Sequence, residues 1–114
     1  MNQHEFIKGT LSTILLQLLS EKGPMYGYEI TREVRLRSSD KILLKEGSLY
    51  PALRKMLADG VLHTYTETVD NRNRVYYAVT KIGKSRASEQ TTALLSFMQT
   101  VQELLNPEKL AGYA

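Results

Sequence analysis

Apolar residues recur at helical spacing in the first half of the chain. From Phe6 to Leu19 they lie three or four residues apart, which predicts an amphipathic helix with a wide apolar face. Gly23-Pro24 predicts the end of that helix and the start of the next segment, because proline is tolerated in a first helical turn but not inside a helix. A four-residue spacing of apolar positions then predicts a second helix over Tyr26–Arg37.

A third helix is predicted to open at Gly47-Ser48, after a short apolar run, Ile42–Leu44, that could form a small strand. Ser48 is the expected N-cap, and Pro51 is expected in the first turn, where its missing N–H is harmless. Gly60 is the expected left-handed terminator. The apolar stripe of this helix comprises Leu49, Ala52, Leu53, Met56 and Leu57.

The hydrophobic period then changes from helical to alternating. Two runs rich in β-branched and aromatic residues, Val61–Val69 and Val75–Val79, flank a polar turn at Asp70–Asn73, which predicts a hairpin. Thr80 is the expected cap of a final helix that Asn106-Pro107 stops. The apolar stripe of that helix comprises Leu94, Phe97, Met98, Val101, Leu104 and Leu105.

Three helices, a hairpin and one more helix form a mainly α fold with a small β-hairpin. This order predicts a winged helix-turn-helix over residues 1–80 and a C-terminal dimerisation helix and tail over residues 81–114, together one compact unit. In such a fold the third helix lies in the DNA major groove, and the hairpin, called the wing, touches the backbone or minor groove.

Candidate DNA contacts follow from this placement. The third helix exposes hydroxyls and cations, which suit phosphates and base edges. The wing tip carries two arginines. The candidates are Ser48, Tyr50, Pro51, Arg54 and Lys55 on the third helix, and Arg72, Asn73 and Arg74 on the wing.

Charge and composition narrow the function classes. The 114 residues carry a net charge of +3, divided into +5 over residues 1–87 and −2 over residues 88–114, so the basic body is the part expected to meet a polyanion. The sequence has no cysteine, which excludes disulfides, iron–sulfur clusters and thiolate zinc sites. No apolar run approaches the roughly 18 residues of a membrane helix, and the first five residues lack the features of a secretory signal. A cytoplasmic protein is expected.

Four ordered motifs give the chain a family resemblance. Tyr26–Ile30, Glu46–Leu53, Arg74–Tyr77 and Thr80–Gly83 resemble the corresponding segments of the PadR family of bacterial transcriptional regulators, and the resemblance runs from about Gly9 to Arg86. It implies a homodimeric winged-helix repressor, released from DNA by a small molecule, of the compact subgroup with a single short C-terminal helix. By position it places the candidate contacts named above in the groove and on the wing. It also implies that Tyr26 and Tyr28 support the packing of the helix-turn-helix and that Tyr28 is a further DNA-contact candidate, near a phosphate.

The last helix has a wider apolar stripe than so small a domain needs. Its stripe packs either on the first helix of the same chain or, as we expect, against a second subunit. A two-fold dimer would place two recognition helices about 34 Å apart on a palindromic duplex. A small apolar or aromatic effector could enter between the first and last helices, with candidate walls Leu11, Leu15, Phe97, Met98 and Val101.

Enzyme signatures are missing from the sequence. It has no glycine-rich phosphate loop, no HExxH and no Gly-x-Ser-x-Gly, and we expect no cofactor and no metal. His63, near Glu67 on a predicted strand, is read as a surface or packing residue. The alternative function is a winged-helix dimer that binds another protein without reading DNA.

Overall fold

The computed structural model describes residues 9–106 of the chain. Four helices and three strands follow one another in that range. They are α1 (Leu11–Lys22), β1 (Met25–Tyr26), α2 (Gly27–Arg37), α3 (Glu46–Ala58), β2 (Leu62–Val69), β3 (Arg72–Val79) and α4 (Lys81–Leu105). None of the described helices is long and apolar enough to cross a membrane.

The core lies between α1, α2, α3 and the base of the sheet. Five leucines of α1 are buried, and the predicted apolar positions of α2 and α3 close over them. The fully buried large side chains are Leu15, Leu16, Leu19, Ile30, Leu49 and Leu53. The helical spacing in the sequence therefore identified most of the core, but the predicted apolar face of the first helix omitted the buried Leu16 and included Ile14, which is only half-buried.

The end of the first helix agrees with the prediction, but the segment after it does not. α1 ends at Lys22 with Gly23 as its C-cap, while Phe6 and Ile7 lie outside the described residues. Pro24 is not in a first helical turn. It precedes β1, whose two residues add a third strand to the predicted hairpin. A strand this short gives no periodic signal, and its hydrogen-bonding partner lies some fifty residues further along the chain.

Two expectations for the segment before α3 are wrong. The run Ile42–Leu44 is not a strand and is not part of the described sheet, although it packs Ile42 and Leu44 against the core and leaves Leu43 exposed. Ser48 is not the N-cap: Lys45 holds that position and α3 already begins at Glu46. Pro51 consequently lies inside the helix, where it leaves the carbonyl of Gly47 without an N–H four residues on.

The sheet is antiparallel in the order β1-β3-β2. The turn between β2 and β3 has two residues rather than the predicted four: Asp70 and Asn71, both with positive φ, 51° and 63°. Two left-handed residues form the turn type that matches the twist of a tight hairpin. Arg72 and Asn73 therefore belong to β3, where Arg72 faces Val69.

α4 is capped as predicted and packs on α1 over its first half. The Thr80 hydroxyl accepts a hydrogen bond from the Gly83 N–H at 3.1 Å. Further along, the Thr91 hydroxyl donates to the side chain of Gln17 at 3.1 Å. Beyond Thr91 the apolar stripe of the helix is largely exposed. Packing on α1 of the same chain thus accounts for only part of α4.

Candidate nucleic-acid interface

α3 presents a polar face to solvent opposite its buried leucines. Pro51, Arg54 and Lys55 are exposed, Tyr50 is at the edge of exposure and Ser48 is half-buried. The Tyr50 ring lies against α2 at Gly27, where a Cβ would be 3.1 Å from Tyr50 Cζ and closer still to the hydroxyl oxygen. The glycine therefore lets α2 and α3 approach and fixes the position of the Tyr50 ring.

The two cations of this face differ in their partners. Lys55 Nζ lies 3.2 Å from Asp59 Oδ2. Arg54 has no ion pair within the described part of the chain. An unpaired guanidinium at the centre of a solvent-facing helix surface can bind an anion without first giving up an internal partner.

The three candidate residues of the wing also have different surroundings. Arg72 is exposed at the turn end of β3, with no ion pair among the residues that the structure describes. The Asn73 side-chain oxygen accepts a hydrogen bond from the Thr68 hydroxyl at 2.8 Å. The Arg74 guanidinium lies over the ring of Tyr26, 4.6 Å from its centroid, and is half-buried. Arg72 is thus the more accessible arginine.

Four tyrosines form a continuous aromatic column from α2 to the wing. The Tyr65 and Tyr76 rings stack with centroids 5.3 Å apart and planes 7° apart. Tyr76 meets Tyr26 edge to face at 5.6 Å, and Tyr26 stacks with Tyr28 at 6.4 Å. Burial raises the pKa of Tyr65, with a smaller contribution from the Glu67 carboxylate. The sequence shows these tyrosines, but only the strand register reveals that they meet.

Cations at the C-terminal ends of α1 and α2 form ion pairs with carboxylates. Arg37 contacts Glu21 at 2.9 Å and Glu33 at 3.1 Å. Hydrogen bonds from Gln17 and then from Arg37 lower the pKa of Glu21, and the hydrogen bond to Glu21 raises the pKa of Arg37. Lys22 also pairs with Glu33, at 3.6 Å. Lys22 and Arg37 are thus paired with carboxylates, unlike Arg54 on α3 and Arg72 on the wing.

The exposed half of α4 is apolar. Phe97 is 64% exposed, Leu104 75% and Leu105 80%, while Leu94 and Val101 are half-buried. So large an apolar surface at the end of one helix is unusual for a monomer and marks an interaction site.

Two cavities of about 650 Å³ and 740 Å³ adjoin α4. The first, which we call the helix groove, lies between α1, α2 and α4 and includes Ile14, Leu18 and Met98 in its lining. The second includes Phe97 and Val101. Leu11 and Leu15 line neither cavity, because both are buried in the core. In place of these two predicted wall residues, the helix groove is lined by residues on the neighbouring face of α1, such as Ile14 and Leu18.

Within the described range no group of three or more His, Asp or Glu side chains could hold a metal ion. His63 is exposed on β2, where its register partner is Ala78.

Three helices around one core, a three-stranded sheet and a two-residue wing turn define a winged helix-turn-helix protein, extended by one long C-terminal helix. The chain belongs to the PadR-like family of transcriptional regulators, whose family model matches residues 15–89. The sequence resemblance is confirmed, and the chain is a transcriptional regulator rather than an enzyme.

Individual relatives agree with this assignment. An uncharacterised protein of Lysinibacillus sphaericus is 36% identical over 90 residues, which are 78% of this chain and 82% of that protein. The solved structure of a transcriptional regulator from Clostridium thermocellum is similar with a TM-score of 0.78 and 27% identity, covering 87% of this chain and 96% of the other. A PadR family transcriptional regulator from Eggerthella lenta is similar with a TM-score of 0.75 and 26% identity, covering 89% and 86%.

Proposed function

We propose that this protein is a homodimeric, DNA-binding transcriptional repressor of bacterial cytoplasm that a small molecule releases from its operator. The observation that carries the proposal is the presence of Arg54 on the solvent-facing side of α3 and Arg72 on the wing, both exposed and neither in an ion pair with any residue that the structure describes. Membership of a transcriptional-regulator family supports it, and the relatives named above come from bacteria.

In this proposal α3 enters the major groove and the wing follows the adjacent backbone. Arg54 is the central contact, because its guanidinium can bind a phosphate or the acceptor edge of a guanine. Tyr28, 65% exposed in the first turn of α2, is placed to meet a phosphate. The other contacts proposed on α3 and the wing are Ser48, Tyr50, Pro51, Lys55, Arg72 and Asn73. Arg74, which the sequence also named as a contact, is half-buried over the ring of Tyr26.

The apolar end of α4 is proposed to bind the same surface of a second copy. Residues 1–80 then act as the DNA-binding unit and residues 81–114 as the dimerisation unit. A two-fold dimer is self-complementary, so each copy contributes the same stripe. It presents two α3 helices to a palindromic operator with half-sites about one helical turn apart.

Replacing Arg54 by alanine is expected to weaken binding to an operator duplex by about tenfold or more, because one groove contact contributes roughly 1–3 kcal/mol per half-site. The operator affinity of the variant and the wild type is measured by fluorescence anisotropy. The duplex is one that the wild-type protein selects from genomic fragments. Wild-type binding should also fall steeply between about 50 and 200 mM salt, as expected for several phosphate contacts.

The matched control is Arg35→Ala, which removes the same charge from a residue paired with Asp40 at 3.6 Å on α2. It should bind almost as tightly as the wild type. If the wild-type protein selects no duplex above background, or binds with no salt dependence, the DNA proposal is wrong and the alternative of a protein-binding dimer is favoured.

The helix groove supports the proposal of an effector. Its volume lies within the range of small-molecule sites, and a mainly apolar wall with a few hydroxyls, an amide and a guanidinium is typical of them. Methionine suits a loosely selective site, because its side chain adapts to irregular shapes.

Titration of the protein–operator complex with a hydrophobic dye or a phenolic acid is therefore expected to release the duplex. Ile14→Trp should narrow the helix groove and weaken the dye's binding at least tenfold, with operator affinity in its absence unchanged. Dye fluorescence and operator anisotropy, recorded on the same samples, separate the two effects. Equal dye binding by wild type and variant would remove the helix groove from consideration.

A further inference from the structure

The outer part of the wing has few contacts with the helical body. Its base is held in the core, where Leu62 and Ala78 are buried, but from His63 to Thr68 every residue of β2 is exposed. β1 adds only two register pairs, Met25 with Tyr77 and Tyr26 with Tyr76. An isolated two-stranded hairpin is marginally stable at best in water. Side chains that bridge the outer part of the wing and the helices are therefore expected to help fix the angle between them.

The aromatic column of Tyr28, Tyr26, Tyr76 and Tyr65 is that bridge. Its four rings come from α2, β1, β3 and β2 in turn, and successive centroids are 5.3–6.4 Å apart. Offset-stacked and edge-to-face rings at such separations attract one another beyond their burial. Because Tyr26 immediately precedes α2, the aromatic column connects the wing to the start of that helix.

Arg74 belongs to the aromatic column rather than to the free surface. Its guanidinium lies 4.6 Å from the Tyr26 centroid, and its register partner across the hairpin is Glu67. A cation over an aromatic face is held there by the ring quadrupole. Arg72, two residues nearer the turn on the same face of the strand, is exposed and has no ion pair within the described residues.

We propose that Arg74 is a positioning residue which, with the aromatic column, fixes the wing against α2, and that Arg72 is the wing arginine that neutralises DNA phosphate. This rests on the proposed DNA-binding function. It assigns different roles to Arg72 and Arg74, which the sequence alone does not distinguish.

Salt dependence of operator binding separates the two roles. Arg72→Ala should reduce the magnitude of the slope of log K against log[salt] by about 0.9 per wing, as for one lost phosphate contact. Arg74→Gln should keep the wild-type slope and lower the affinity by about threefold to tenfold at every salt concentration. An equal loss of slope for both variants would overturn the division of roles.

Variants of the aromatic column test the positioning role without removing a charge. Tyr26→Leu should lower operator affinity with an unchanged slope, and should speed amide hydrogen exchange in β3 of the free protein. Tyr26→Phe keeps the ring and should behave as the wild type. Tyr65→Leu, at the exposed end of the aromatic column, gives the same test if Tyr26→Leu does not fold, as judged by circular dichroism.

The outcomes distinguish this inference from the proposed function. The positioning role is wrong, while the DNA proposal stands, if the wild type binds duplex but Tyr26→Leu and Tyr26→Phe have the same operator affinity and the same amide hydrogen exchange in β3. If the wild type binds no duplex, the DNA proposal fails. In that case, amide hydrogen exchange in β3 of Tyr26→Leu, compared with Tyr26→Phe, decides whether the aromatic column holds the wing.

Discussion

Replacing Phe97 and Leu104 together by aspartate is expected to convert the protein from a dimer into a folded monomer. Both side chains are mostly exposed in the single chain, so the substitutions remove little from its own core. In a two-fold dimer they remove four apolar side chains, at about 1.5 kcal/mol or more each, which weakens dimerisation by roughly 10⁴-fold. Gel filtration with light scattering measures the mass, and circular dichroism the fold.

The same variant should bind the operator at least about a hundredfold more weakly, because a monomer contacts only one half-site whereas a dimer contacts both at once. Thr92→Asp with Ser96→Asp is the matched control. It adds the same charge to exposed polar residues that lie outside the apolar stripe of α4, and it should remain dimeric. A Phe97/Leu104 variant that keeps twice the chain mass at micromolar concentration contradicts the proposed interface.

Gly83→Ala is expected to destabilise the fold by about 2 kcal/mol, although alanine is the better helix former. A Cβ at residue 83 would lie 2.7 Å from Val79 Cγ1 and closer still to the carbonyl oxygen of Val61. That carbonyl is held in place by the Thr80 N–H at 3.0 Å, and the Thr80 hydroxyl also donates to the Gly60 carbonyl at 2.7 Å. α4 must therefore move, which costs about 1–3 kcal/mol for overpacking and about 1 kcal/mol for the lost cap.

The gain in helix propensity, about 1 kcal/mol, offsets only part of that cost. The midpoint of thermal unfolding should fall by roughly 10 °C. Gly47→Ala is the control, because a Cβ there meets nothing within 4 Å and the residue is also helical. It should unfold at the wild-type temperature or above. A Gly83→Ala protein as stable as Gly47→Ala would contradict the proposed packing of α4.

The elements that the sequence predicted well are those whose own residues carry a periodic signal. The helical stripe around Leu15 and Leu53 gave the core, and the change to alternation after Val61 gave the wing. β1 was missed because two residues cannot show a period, and the start of α3 was misplaced because Ser48 looks like a cap while Lys45 is one. The wing turn was predicted too long because Arg72 and Asn73 are polar enough to read as loop.

The candidate interface was predicted as a set of residues without their partners. Exposure of Arg54 follows from the helical pattern and exposure of Arg72 from the polar turn, but the ring of Tyr26 under Arg74 depends on a register between β1 and β3. Leu11 and Leu15 were wrongly predicted to line the effector site for a similar reason, since the lining depends on how elements distant in the sequence pack together. Position on an apolar helix face predicts burial, and the packing of a third element decides which of those residues line a cavity.

The aromatic column also makes the wing visible by optical methods. The chain has seven tyrosines and no tryptophan, and four of those tyrosines are in the column. Coupled, asymmetrically packed rings dominate near-ultraviolet circular dichroism, a signal that is lost when fixed side-chain packing is lost. That spectrum therefore reports the closure of the wing on α2 in the unlabelled protein, while a single tryptophan placed elsewhere reports its own site without a competing background.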